Sequence, residues 1–121
     1  MLADSRLYPR VATNLEARVG NPGDNSNSQA WITDISLGGV TIKGDNELAQ
    51  VLTQDNPQGE VGEHVVCFDL STLVFNNVYR LVHVRRLSQA EFEFGMKFLE
   101  LGVHDVAGIS DYINNHVRRT G

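Results

Sequence analysis

Apolar and polar residues alternate along several short stretches of this chain, a period of two that predicts half-buried strands. Leu15, Ala17 and Val19 alternate with Glu16 and Arg18, which marks a strand over 14–20. Residues 20–28 are dense in Gly, Asn, Pro, Asp and Ser and read as a hairpin loop, after which 29–33 forms a second strand with Trp31 as a large packing residue. Val40, Thr41 and Ile42 begin a third strand of β-branched residues. A short helical turn is expected around Leu48, Val51 and Leu52 inside an otherwise polar, acidic segment. Residues 63–70 read as a fourth strand, and Asn76-Asn77 supplies a turn signal before a fifth that runs from Val78 to Leu87. Both faces of that fifth strand mix apolar and polar residues, so its pattern leaves the core-facing side open. Phe92, Phe94, Met96 and Phe98 alternate with Glu91, Glu93, Gly95 and Lys97, and this sixth strand is expected to lay four large side chains into the core.

The period changes at the C-terminus. Val106, Ile109, Ile113 and Val117, with Tyr112, recur at steps of three and four, the spacing of an amphipathic helix. Asp105 near its start and Arg118 and Arg119 near its end carry the signs that the helix dipole favours. Residues 1–12 show little periodicity and read as a flexible N-terminal arm, followed by one domain over 13–121 whose helix begins at about residue 103. Short antiparallel strands followed by one helix predict a mostly β fold, a small six-stranded antiparallel β-barrel plugged or flanked by that C-terminal helix.

Composition narrows the function. A length of 121 residues suits one compact domain, and 41% hydrophobic with 21% charged residues is ordinary globular usage. The net charge of −5 argues against general attraction to nucleic acid or to an anionic membrane, so an anionic ligand has to be held locally. The cations are eight Arg against two Lys, a bias that suits planar, bidentate recognition of guanine or phosphate. Cys67 is the one cysteine, which excludes an intramolecular disulfide, and the first thirty residues hold no apolar run resembling a signal sequence. A cytoplasmic location is expected, with no membrane insertion.

Two short stretches carry the chemistry. Arg6-Leu7-Tyr8-Pro9-Arg10 sets two guanidinium groups four residues apart in a segment that Pro9 keeps from being helical. Asp34-Ile35-Ser36-Leu37-Gly38-Gly39 puts a carboxylate, a hydroxyl and two glycines into a turn, where glycine permits positive φ and close ligand approach. Guanine offers N7 and O6 to an Arg fork, and its N1 and N2 hydrogens suit a carboxylate or hydroxyl acceptor. Taken singly, each stretch has a plainer reading: an exposed Arg pair, and an Asx turn closed on its own backbone.

In combination, RxxxR followed by DxSxxG resembles the signature of PilZ domains, bacterial receptors for the second messenger cyclic di-GMP, and the likeness runs from about Arg6 to about Val117. The resemblance implies a split six-stranded barrel with a C-terminal helix. It also implies that Arg6 and Arg10 contact guanine and phosphate, that Asp34 and Ser36 receive a guanine edge, and that Gly39 allows close approach. Gly38 fills a variable place in the motif. Arg85 and Arg86 fall where the family frequently carries a basic residue that adds a phosphate contact. Ser5 stands where members often have a further Arg associated with a stacked pair of ligand molecules, so the resemblance leaves the ligand stoichiometry open.

Other chemistries find little support. His64, His83, His104 and His116 show no metal-ligand spacing, and a triad composed on paper from Ser36, His83 and Asp34 lacks the Gly-x-Ser-x-Gly elbow. The chain therefore reads as a receptor and not as an enzyme. Its expected ligand is cyclic di-GMP, bound so that the arm orders over the barrel, with the signal passed to an effector protein in motility, adhesion or exopolysaccharide control. The competing reading is a PilZ-like adaptor that binds protein without nucleotide. Binding of single-stranded nucleic acid lacks the basic groove and interleaved aromatics it requires. Tyr8 and Trp31 are the aromatics near the motifs that would stack on a base, although Trp31 is expected to pack.

Overall fold

The computed structural model describes residues 10–20, 28–53, 63–70, 73–99 and 101–120. Six strands close into an antiparallel barrel: β1 (Val11–Gly20), β2 (Ser28–Ile35), β3 (Gly39–Gly44), β4 (Glu63–Leu70), β5 (Leu73–Arg86) and β6 (Phe92–Phe98). Their order around the barrel is β1-β2-β3-β6-β5-β4, with β4 returning to β1. Helix α1 (Asn46–Thr53) follows β3, and α2 (Val103–Thr120) ends the fold. The mostly β barrel with a C-terminal helix is therefore what the alternation predicts.

Inward residues from every strand fill the barrel, among them Val19, Ile32, Ile42, Val66, Tyr79 and Phe94, all but inaccessible to solvent. Each large apolar side chain buried in this way contributes roughly 1.5–3 kcal/mol. On β6, Phe94, Met96 and Phe98 go into the core as expected, whereas Phe92 is half-buried beneath the Arg86 guanidinium, whose carbon lies 5.6 Å from the ring centre. Helix α2 adds Ile109 and Ile113 to the core, but Val106 is exposed. The side chains of His116, Val117, Arg118 and Arg119 lie outside the described ones.

Three boundaries differ from the sequence reading. Asn76 and Asn77 do not turn: they pair with Cys67 and Val66 inside β5, because Phe75 stacks on Phe68 across the ladder, 5.3 Å between centroids, and holds this register. The helical turn at 48–52 is a full helix, α1, in which Leu48 and Leu52 are buried and Asp45 Oδ1 accepts the Leu48 N–H as an N-terminal cap. Strand β1 begins at Val11, three residues before the alternation is legible, because a bulge between Ala12 and Leu15 interrupts the period.

A second bulge positions the site. In the β2–β3 ladder Ile32 opposes Ile42 and Asp34 opposes Thr41, so Thr33 is an extra residue on β2. Strict alternation from Ala30 and Ile32 would send Asp34 inward, and the inserted residue reverses the phase. Asp34 faces out while Ile35 is buried.

Candidate ligand-binding site

The turn expected over Asp34–Gly39 is shorter than that: Asp34 and Ile35 still belong to β2 and pair with Thr41 and Val40, and the tight corner into β3 is Ser36–Gly38. The Ser36 N–H donates to the Gly39 carbonyl at 2.9 Å, and the Ser36 hydroxyl both accepts the Gly38 N–H at 3.1 Å and donates to the Gly39 carbonyl at 3.4 Å. Ser36 is only 4% exposed, so its side chain serves the corner's own backbone. The Phe98 N–H donates to the Gly38 carbonyl at 3.1 Å, tying the corner to β6. Gly39 opposes Lys97, and a Cβ there would collide with the Met96 carbonyl oxygen. Glycine at 39 is thus demanded by the approach of β6, a requirement separate from any approach of ligand.

On the outer face beside this corner, two residues far apart in sequence meet. The Arg10 guanidinium donates from Nη1 to Asp34 Oδ1 at 2.5 Å and to Thr41 Oγ1 at 3.3 Å. Thr41 is itself fixed, its carbonyl accepting the Thr33 hydroxyl at 3.4 Å. The side chains of Arg10 and Asp34 remain about a third exposed, so their ion pair is a surface one, worth about 0–1 kcal/mol. Arg6, Ser5 and Tyr8 lie outside the described residues.

Directly opposed residues share a face, so the ladder registers extend this site sideways into a row: Ala12, Asp34, Thr41, Gly95 and His83. Gly95 leaves a gap in the row that the His83 imidazole covers, since a Cβ at Gly95 would meet that ring. Nothing in the spacing of the histidines points His83 to this face, and the register alone reveals its place here. Three inter-strand steps separate it from Asp34, roughly 14 Å at about 4.8 Å each, too far for a Ser36–His83–Asp34 relay.

Arg85 and Arg86 do not join the Arg10–Asp34 pair. Arg86 braces the β5–β6 hairpin, donating from Nε to the Ser88 carbonyl at 3.0 Å and from Nη2 to the Gln89 carbonyl at 3.3 Å. Arg85 opposes Glu93 and is exposed. Away from the site, burial holds the His64 imidazole below its usual range, opposed by a hydrogen bond with the Leu52 backbone and by the Glu63 carboxylate. Burial raises the Tyr79 phenol, with Asp105 and Cys67 adding to the effect. Among the described residues no group of three or more His, Cys, Asp and Glu side chains is placed to hold a metal ion, and no helix is long and apolar enough to cross a membrane.

Solved structures share this fold. MotI/DgrA, the inhibitor of motility of Bacillus subtilis, is 13% identical with a TM-score of 0.71, over 96% of this chain and 53% of its own. The PilZ domain of YcgR from Escherichia coli, solved with c-di-GMP, is 15% identical with a TM-score of 0.66, over 97% of this chain and 95% of that domain. The MrkH–c-di-GMP complex of K. pneumonia is 16% identical with a TM-score of 0.73, over 97% of this chain and 54% of MrkH. The chain thus spans about half the length of MotI and MrkH. No curated protein gives a significant sequence match. The PilZ domain profile matches residues 4–115, taking in both signature stretches and all six strands, and the chain accordingly belongs to the PilZ domain family.

Proposed function

We propose that this domain is a receptor for cyclic di-GMP, with Arg10 and Asp34 as its central contacts and Arg6 as a further cation from the arm. The observation that carries this reading is the meeting of the Arg10 guanidinium and the Asp34 carboxylate on one exposed face, across twenty-four positions of sequence. Their chemistries match two edges of guanine, a fork for N7 and O6 and an acceptor for the N1 and N2 hydrogens. Without ligand they satisfy each other, and a guanine inserted between them replaces one weak surface pair with two sets of charge-assisted hydrogen bonds. Ser36 and Gly39 act by setting the corner, the one through its hydrogen bonds and the other by letting β6 close against it. Support also comes from the YcgR domain and from MrkH, barrels of the same fold that were solved with c-di-GMP.

In this reading the ligand draws the Arg6–Arg10 arm onto the barrel beside the Asp34–Gly39 stretch, and an effector protein responds to the changed surface. A ligand shifts such an equilibrium only by its differential affinity for the two arrangements, and Arg6 and Arg10 supply it by gripping ligand from the arm.

Calorimetry with cyclic di-GMP tests the proposal. Wild-type protein should bind, and Arg10→Ala and Asp34→Ala should each weaken binding at least tenfold, about 1.4 kcal/mol. Absence of heat at high micromolar ligand sinks the receptor reading, and unweakened variants sink this placement of the site.

A further inference from the structure

Trp31 is the chain's one tryptophan, and it does not join the core: it points outward from β2 and is 41% exposed. It lies in a surface groove of about 610 Å³ that also takes in Thr33, Lys43, Glu47 and Glu91. That volume falls within the range, about 300–1,000 Å³, of small-ligand sites. A partly exposed aromatic ring lining a groove is the kind of side chain on which nucleic-acid bases stack.

The groove's charge says which part of a nucleotide fits. Among its described lining residues Lys43 is the one cation, and its Nζ is already 3.2 Å from Glu91 Oε2. Asp45, Glu47 and Glu91 make the rim acidic, which repels phosphate and favours an uncharged ring with N–H donors on its edge. Guanine has that edge in N1 and N2. The groove is also continuous with the Arg10–Asp34 pair: Thr33 lines it and precedes Asp34, while Lys43 opposes Trp31 just as Thr41 opposes Asp34. Three residues of strand span roughly 10 Å, within reach of one dinucleotide that carries two bases.

We propose that the Trp31 groove receives the second guanine of cyclic di-GMP, stacked on the indole, while the first guanine and the phosphates stay with Arg10 and Asp34. This inference rests on the receptor reading and assigns to β2 a contact outside both signature stretches. It divides the ligand by chemistry, with phosphate on the arginine side and donor-bearing ring on the acidic side.

The test follows heat and tryptophan emission in one titration of the full chain with cyclic di-GMP, together with acrylamide quenching of the free and bound forms. Emission should change with the same midpoint as the heat, and bound ligand should shield Trp31 from acrylamide. Trp31→Ala should weaken binding roughly tenfold, whereas Trp31→Phe, which keeps a ring, should retain most of the affinity. Heat without an emission change or shielding, or Trp31→Ala binding like wild type, overturns the groove assignment and leaves the receptor reading standing. No heat at all overturns both. The emission and quenching arms use wild-type protein, so they decide the matter even if the alanine variant folds poorly.

Discussion

The two halves of the DxSxxG corner are built on opposite principles. Ser36 and Gly39 are buried; the hydrogen bonds of the Ser36 hydroxyl run to the corner's own backbone, and Gly39 lies against the β6 backbone. Asp34, two residues before Ser36, is about a third exposed, and among the described residues its carboxylate pairs with the similarly exposed Arg10 side chain. One short signature thus mixes scaffold and chemistry. Loss of a scaffold residue should be felt first in stability, and loss of a chemical one first in binding.

The largest expected effect comes from the scaffold half. Gly39→Ala drives a methyl group into the β6 backbone at Met96, where nothing flexible can yield, and should cost about 3 kcal/mol in urea unfolding or prevent folding. A near-neutral Gly39→Ala would break the contrast. Next comes the chemical half, where the tenfold or greater loss of ligand affinity expected for Asp34→Ala should leave unfolding within about 0.5 kcal/mol of wild type, since its contact among the described residues is a surface ion pair. Ser36→Ala sharpens the comparison from the other side. It removes a buried hydroxyl with two backbone partners and should destabilise by about 1 kcal/mol, with ligand affinity falling less than in Asp34→Ala.

The smallest effect lies in the core and depends on pH. The folded protein holds the buried His64 below its unfolded value of 6.5, so the neutral form is the one that fits the fold. Its contribution is intact above pH 6.5. As pH falls through 6.5 toward the lowered folded value the unfolded chain takes up a proton that the native state refuses, and stability declines. Urea unfolding of His64→Leu measured at pH 7.5 and pH 5.5 should show a smaller decline than wild type. An equal decline in both proteins would assign the acid sensitivity elsewhere.

Much of this molecule was legible in the residue pattern because the underlying physics is local. Alternation over 63–70 and 92–98 fixes two strands, because a side-chain period of two needs no partner to be recognised. The apolar steps at Ile109 and Ile113 likewise mark α2 and its buried stripe. Arg10 and Asp34 stand out as candidate ligand groups because guanidinium and carboxylate are the natural complements of guanine. What the pattern could not reveal was phase and neighbourhood. The bulge at Thr33 exists only against the register of β3, yet it alone turns Asp34 outward to Arg10. The collision that requires glycine at 39 belongs to β6, nearly sixty residues away, and the row that brings His83 onto the same face depends on how five strands align. Trp31 reads as a core residue from its size and proves exposed, because which face of β2 is inside was settled by the closing of the barrel. Sequence determined which groups were available and which segments were strands. Closure of the sheet decided which of those groups meet, since the facing of a strand is a property of its pairing and not of its composition.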